Sequence, residues 1–247
     1  MSYIDGFVIA VPTANKQQSI AHANQGDSAF IDHGATRVVE CWGTDVPKGK
    51  TTDFQGAVAA KDDETVVFSW IEWPDKASRD KVMQRMEEIS KIDERLNPAK
   101  NPMPFDGKRM IYGGFEPIVE QGEHTKDSYI QGFIVPVPAA RREDYRKMAA
   151  DAWAMFKGYG ALRVVEAWGD DVPDGEVTDF RRAVKAAPDE KVVFAFIEWP
   201  SRDVCDAAAK KMMNDEQPPQ AQEMPFDMAR MVYGGFIRIV TLDKPTH

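Results

Sequence analysis

Three polar residues, each present twice, could carry out proton transfer in this chain. Glu40, Asp53 and Tyr112 recur as Glu166, Asp179 and Tyr233, each within the same short motif. A carboxylate beside a phenol can act as a general base when both lie in a pocket that excludes most water. We therefore predict that Glu40 or Asp53 lies beside Tyr112 in a pocket between a sheet and a helix. The alternative interpretation is that these groups form ion pairs and hydrogen bonds that hold the fold together.

Further residues that recur in both halves could line a ligand site. They are four arginines, two tryptophans and two glutamates: Arg37, Trp42, Glu72, Arg109, Arg163, Trp168, Glu198 and Arg230. A carboxylate on a half-buried strand is costly unless it is paired, so Glu40 and Glu72 should have arginine or tyrosine partners. The tryptophans could form an aromatic ligand pocket, although packing in a core or an interface is their more common role.

The histidines argue against a metal or haem centre. His22 corresponds to Met148 in the second half and His33 corresponds to Tyr159, so no histidine site is repeated. His22 and His33 are themselves about three helical turns apart, or ~16 Å, which is too far for one metal ion. We expect surface histidines, no metal site and no cofactor.

The candidate residues recur because the chain contains one sequence unit twice. Residues 3–74 recur as residues 129–200 with a constant offset of 126, and residues 103–115 recur as residues 224–236 with an offset of 121. The second copy is therefore five residues shorter between these blocks. Positions that are identical in both copies share a constraint, which is why they supply the candidates above.

The pattern of each copy predicts strand, helix, strand, strand, helix and strand. Strand residues are apolar on both faces, since Val39 and Cys41 alternate with Val38 and Trp42. Helices can cover one face of such a sheet and the sheet of the other copy can cover the second. We predict an α+β fold in which two ferredoxin-like βαββαβ units pack sheet to sheet as an intrachain, pseudo-dimeric α/β barrel. The expected boundaries are a first repeat over residues 1–120, a linker over 121–127 and a second repeat over 128–242.

Several unusual motifs occur in order in both copies, in the second as RVVEAWG, DVPDG, VTDF, FIEWP, MPFD and YGGF. This series resembles the YbaA-like family, a bacterial family of unknown function, over nearly the whole of each copy. The resemblance implies a barrel that single-copy members build as dimers and that this chain builds alone. The wider superfamily includes cofactor-independent monooxygenases, haem-degrading enzymes, lactone isomerases and stress-response proteins, so the fold does not fix the chemistry.

The overall composition narrows the choice of partners. The net charge of −9 and the lack of a basic tract disfavour nucleic acid as a partner. No apolar run approaches the ~18 residues that span a bilayer, so no membrane partner is expected. The two cysteines lie at non-equivalent positions, which favours a reducing cytoplasm over a disulfide framework. Two chains could pair further through exposed strand edges.

Three functions compete at this point. The favoured hypothesis is a small-molecule-binding barrel that could be a cofactor-independent enzyme, and the alternative is a non-catalytic structural or interaction protein of stress physiology. Nucleic-acid binding is the weakest because of the charge. The first helix diverges most between the copies, and the second copy keeps the family pattern more closely, so we expect any activity to reside mainly in residues 127–240.

Overall fold

A computed structural model describes residues 2–214 and 224–245 of the chain. Its strands are Tyr3–Pro12 (β1), Arg37–Asp45 (β2), Glu64–Trp73 (β3), Ile111–Gly122 (β4), Tyr129–Pro138 (β5), Arg163–Asp171 (β6), Glu190–Trp199 (β7) and Val232–Asp243 (β8). They form one closed antiparallel barrel in the order β1-β3-β2-β8-β5-β7-β6-β4. The pairs β2–β8 and β4–β6 join the halves, so the two sheets are continuous at both edges.

The described residues also contain seven α-helices. They are Lys16–Asp32 (α1), Phe54–Ala57 (α2), Lys76–Met83 (α3), Met86–Ile92 (α4), Arg142–Gly158 (α5), Phe180–Ala183 (α6) and Arg202–Asn214 (α7). In the first copy, the second helix of the predicted element order is divided into α3 and α4. The break occurs because Arg85 leaves the helical region, with φ −107° and ψ 7°.

Aromatic side chains fill the interior of the barrel. Phe68 stacks on Phe194 with ring centroids 4.5 Å apart, and Trp70 stacks on Phe196 at 4.1 Å, so side chains of the two halves meet along the axis. Gly6 permits this contact, because a Cβ atom there would lie 2.8 Å from the Phe194 ring. The barrel is therefore a packed core and not a ligand channel.

The opposite face of each sheet lies beneath helices. On β3, Val66, Phe68 and Trp70 belong to the interior cluster, whereas Val67 and Ile71 belong to clusters outside the barrel. The predicted cover on both faces is thus confirmed, as is the mixed α and β barrel. Among residues 2–214 and 224–245, no helix combines the length and apolar character needed to cross a bilayer.

Candidate functional site

The first half contains a cavity of about 240 Å³ between α1 and the outer face of the sheet. Its lining consists of apolar side chains and four polar ones: Phe7, Ile9, Ser19, His22, Ala23, Asp27, Phe30, Glu40, Ile71, Met103, Phe105 and Met110. A small apolar pocket with a few convergent polar groups is the usual form of a ligand site.

The sequence places the polar groups of the cavity by simple periodicity. Ser19, Ala23 and Asp27 are spaced by four residues on α1, so they lie on one face of the helix. On β2, Val39 and Cys41 belong to the barrel interior, and the alternation of strand residues therefore directs Glu40 outward to α1. Helix and strand thus bring two carboxyl groups to the same cavity.

The segment after α4 is held against α1 by Asn101. The side-chain amide nitrogen of Asn101 donates to the backbone oxygens of Arg95 at 2.8 Å and His22 at 3.3 Å. A Cβ atom at Gly26 would lie 3.5 Å from Asn101 Nδ2, which is an ordinary van der Waals contact, so a small side chain would also fit there.

The two carboxyl groups have perturbed acidity. Burial raises the pKa of Glu40 to about 7. Ser69 lies opposite Glu40 in the strand register and offsets part of that rise, although its hydroxyl makes no hydrogen bond of normal geometry. Burial also raises the pKa of Asp27 well above its usual value, and the nearby charge of Glu40 raises it further. Asp27 Oδ2 is buried and has no hydrogen-bond partner. The pair can therefore hold and release a proton near neutral pH.

His22 adds a third group that can exchange a proton. Its Nδ1 lies 2.8 Å from Asn101 Oδ1. Because the amide nitrogen of Asn101 is already directed at two carbonyl oxygens, its oxygen faces His22, which must donate from Nδ1. Burial lowers the pKa of His22, and the hydrogen bond to Asn101 opposes this only in part. The neutral imidazole therefore carries its lone pair on Nε2.

The corresponding region of the second half has larger side chains on its first helix. Eight of the twelve lining residues are identical at the equivalent positions, and a ninth changes only from Ile9 to Val135. The other three lie on the first helix of each half and replace Ser19, His22 and Asp27 by Tyr145, Met148 and Trp153.

Tyr145 takes the place of the cavity in the second half. It is buried and donates its hydroxyl to Glu166 Oε2 at 2.7 Å. Burial raises the pKa of Glu166 to about 7, and the hydrogen bond from Tyr145 opposes that rise. The cavity of the first half instead contains the unpartnered Oδ2 of Asp27. The cavity described here lies within residues 1–120, and the expectation that activity resides mainly in residues 127–240 stays a prediction.

Asp53 and Asp179, predicted as candidate bases, cap short helices. Asp53 accepts the backbone N–H of Gly56 at 2.6 Å and that of Gly49 at 3.0 Å. Asp179 does the same for Arg182 at 2.8 Å and Gly175 at 3.3 Å. Each carboxylate satisfies amides at the start of α2 or α6, which is a structural role.

The predicted contact between Glu40 and Tyr112 is absent. Tyr112 and Tyr233 are 46% and 48% exposed, on β4 and β8. Within one half, β1 and β3 lie between β4 and β2, so Tyr112 is three strand spacings, or about 14 Å, from Glu40. The recurrence of these tyrosines does not place them beside the carboxylates.

Four of the predicted ligand residues form an ion network at one end of the barrel. Arg163 contacts Glu72 at 2.8 Å and Glu198 at 3.3 Å, and Arg37 contacts Asp243 at 2.7 Å. Glu72 therefore has the predicted arginine partner, whereas Glu40 has none. Because these charges pair with one another, the network stabilises the contact between the halves.

The remaining predicted ligand residues also have protein partners. Arg109 lies in a short 3-10 turn before β4 and pairs with Glu64 at 2.6 Å. Arg230 pairs with Glu190 at 2.7 Å in the same way. Trp42 and Trp168 are buried beneath the helices and form cation–π contacts with Lys16 and Arg142. Packing is thus the role of both tryptophans.

Sequence reasoning identified Glu40 but missed Ser19, Asp27 and the role of His22. These three positions differ between the copies, and a search for recurring residues passes over them. The available signal was that bulky apolar residues of the second copy become small or polar in the first. Within residues 2–214 and 224–245, no group of three or more histidine, cysteine, aspartate or glutamate side chains is arranged to hold a metal ion.

Comparison with known proteins identifies both repeats. A family profile described as "Protein of unknown function (DUF1428)" matches residues 2–107 and again residues 128–228. The uncharacterized protein YbaA of Escherichia coli strain K12 is 56% identical over 113 residues, which cover 45% of this chain and 97% of that protein. YbaA of Shigella flexneri matches to the same extent.

Solved structures of similar fold span both halves. An anthrone oxidase-like protein is superimposed over 99% of this chain and 94% of its own, with a TM-score of 0.58 and 13% identity. A candidate monooxygenase from Lactobacillus acidophilus covers 98% of this chain and 96% of its own, with a TM-score of 0.57 and 11% identity. At these identities the likeness establishes the fold alone.

Proposed function

We propose that this chain, a tandem member of the DUF1428 family of proteins of unknown function, binds a small, largely apolar molecule beneath α1. Because the function of the family is unknown, the proposal follows from the site of the chain itself. In this proposal Glu40 exchanges a proton with that molecule. The observation that carries the proposal is the cavity of about 240 Å³ that joins Glu40 to Asp27 beneath apolar walls.

Glu40 suits the role of a general base. A base works best when its pKa lies near the working pH, and that of Glu40 is raised to about 7. The ionised carboxylate takes a proton from an acidic C–H or O–H group of the substrate and leaves an anion in the cavity. Asp27, with its raised pKa, supplies or retains a second proton. Return of a proton at another atom would complete an isomerisation without a cofactor.

Two further features support a small-molecule enzyme of this kind. The solved structures of similar fold are described as anthrone oxidase-like and as a candidate monooxygenase, both names of small-molecule chemistry. Each half also has the strand order β4-β1-β3-β2 or its equivalent, with helices on one face. We infer two ferredoxin-like units that replace a homodimer, working in the cytoplasm.

Solvent exchange of a bound compound tests the proposal. A compound library is first screened for thermal stabilisation, since a ligand at 100 times its Kd stabilises the protein by about 2.7 kcal/mol. Compounds that stabilise the protein are then incubated with it in D₂O, and deuterium incorporation is followed by NMR. We expect exchange with the wild type and a loss of at least 100-fold in Glu40→Gln.

Glu166→Gln is the matched control, because it makes the same change at the equivalent position of the second half. It should leave the exchange rate within twofold of the wild type. A broad library without any stabilising compound would favour the alternative, a structural or interaction protein. Equal losses in Glu40→Gln and Glu166→Gln would also contradict the proposal, because it assigns proton exchange to Glu40 alone.

A further inference from the structure

The second half shows which chemical group fits the cavity of the first half. We propose that the cavity beneath α1 takes a phenol, meaning a single aromatic ring whose hydroxyl group donates to Glu40. This inference rests on the proposed function, since it names the class of molecule for the same site.

Tyr145 is in effect a phenol bound at the equivalent place. Its side chain lies between α5 and the sheet, and its hydroxyl donates to Glu166 at 2.7 Å. The equivalent residue of the first half is Ser19, whose side chain ends at Oγ and lines the same cavity as Glu40. The first half therefore lacks the ring and the hydroxyl but retains the carboxylate that would accept it.

The phenylalanine beside the missing ring is present in both halves. Phe226 packs edge-on against Tyr145, with ring centroids 5.7 Å apart. Its equivalent, Phe105, lines the cavity and contacts His22 edge-on at 6.0 Å. Edge-to-face contacts of this kind favour an aromatic occupant over an aliphatic one of similar size.

The size of the cavity also fits. A cavity of about 150 Å³ with apolar walls is enough to bind benzene. The cavity here measures about 240 Å³, so it has room for a ring with a hydroxyl and a further substituent. Part of that extra room arises because Asp27 replaces Trp153, and His22 replaces Met148.

The direct test compares 4-fluorophenol with fluorobenzene, which differ only in the hydroxyl group. Titration of the full chain at pH 8 is followed by ¹⁹F NMR. A hydrogen bond to a charged acceptor corresponds to a difference in affinity of about tenfold or more, so 4-fluorophenol should bind at least tenfold more tightly. Equal affinities would overturn the inference, because the cavity would then not recognise the hydroxyl.

Two variants locate the binding site. Ser19→Tyr builds the phenol of the second half into the first, and it should lower the affinity for 4-fluorophenol at least tenfold. Tyr145→Ser opens the second half and should raise the stoichiometry from one site per chain to two. Circular dichroism checks that each variant is folded. Unchanged affinity in folded Ser19→Tyr would overturn the inference even if Tyr145→Ser does not fold.

The outcomes separate this inference from the function on which it rests. If 4-fluorophenol does not bind but another compound shows Glu40-dependent exchange, the phenol class is wrong and the proposed function stands. If 4-fluorophenol binds and no compound exchanges a proton through Glu40, the binding site stands and the catalytic role fails. If neither probe nor library compound binds, both proposals are overturned.

Discussion

Arg163 of the second half donates Nη1 to Glu72 of the first half over 2.8 Å, inside one end of the barrel. Burial alone raises the pKa of Glu72, but the charge and hydrogen bond of Arg163 outweigh it, and the net shift is downward. Arg163 also contacts Glu120 at 2.6 Å and Glu198 at 3.3 Å. One guanidinium group thus neutralises carboxylates from both halves.

Removal of this guanidinium group should be strongly destabilising. Arg163→Met leaves Glu72 and Glu198 buried with fewer partners, and loss of one member of a buried ion pair costs about 3–5 kcal/mol. Urea unfolding measures the change in the free energy of unfolding. The double variant Arg163→Met/Glu72→Met should recover part of that loss, because one buried charge disappears with its partner.

Lys91→Met is the control for this prediction, since Lys91 pairs with Glu87 on the surface of α4. An exposed pair contributes about 0–1 kcal/mol. Similar effects of Arg163→Met and Lys91→Met would show that the network at the barrel end adds nothing beyond a surface pair.

The stability of the protein should fall as the pH rises from about 4.5 to 7. Glu166 has a pKa of about 7 in the folded state, above its ordinary value of 4.5, so the folded protein holds a proton that the unfolded chain releases. The stabilisation is complete below pH 4.5 and is lost as the pH passes 7, with a change on the order of 3 kcal/mol.

Unfolding in urea at a series of pH values measures this dependence. Glu166→Gln cannot titrate and should show a flatter profile over the same range. Glu40→Gln should flatten it as well, because burial shifts Glu40 in the same direction. A variant profile that runs parallel to that of the wild type would show that folding does not raise the pKa of Glu166.

The hydroxyl of Tyr145 should matter more at high pH than at low pH. Tyr145→Phe keeps the ring but removes the donor to Glu166, and a buried carboxylate without its donor costs about 1–3 kcal/mol. The loss should be larger at pH 8, where Glu166 is ionised, than at pH 5.5. The pKa of Glu166 should also rise above about 7, which carboxyl ¹³C NMR can follow.

Tyr112→Phe is the matched control, because Tyr112 is nearly half exposed on β4. It should change the free energy of unfolding by less than about 0.5 kcal/mol at either pH. An effect of Tyr145→Phe that is the same at both pH values would contradict a charge-assisted hydrogen bond.

The sequence predicted the barrel because the strand residues are apolar on both faces and the sequence unit occurs twice. Val39 and Cys41 on one face and Val38 and Trp42 on the other require cover on both sides, and only helices plus a second sheet provide it. The duplication supplied that second sheet. What the strand pattern could not show is that β2 pairs with β8 and β4 with β6, which joins the sheets into one.

The site was only half predictable. Glu40 was found because it recurs as Glu166, but Tyr112 was chosen as its partner because it recurs too, and recurrence says nothing about which strands are neighbours. The residues that open the cavity are those that do not recur. The difference between Ser19 and Tyr145 can be interpreted only once both residues are known to face a buried glutamate.

Asp53 and Asp179 provide the last prediction, because they recur for a reason unconnected with the cavity. Each caps a short helix that begins with a phenylalanine, and this residue, Phe54 or Phe180, is buried in the barrel core. Asp53→Ala should lower the free energy of unfolding by about 1 kcal/mol, the usual effect of losing an N-cap. Asp53→Asn keeps a hydrogen-bond acceptor and should lower the free energy of unfolding by less.

Neither variant should change the affinity for 4-fluorophenol or the exchange rate by more than twofold, because the cap is not among the residues that line the cavity. If Asp53→Asn abolished exchange while the protein stayed folded, Asp53 and not Glu40 would be the base.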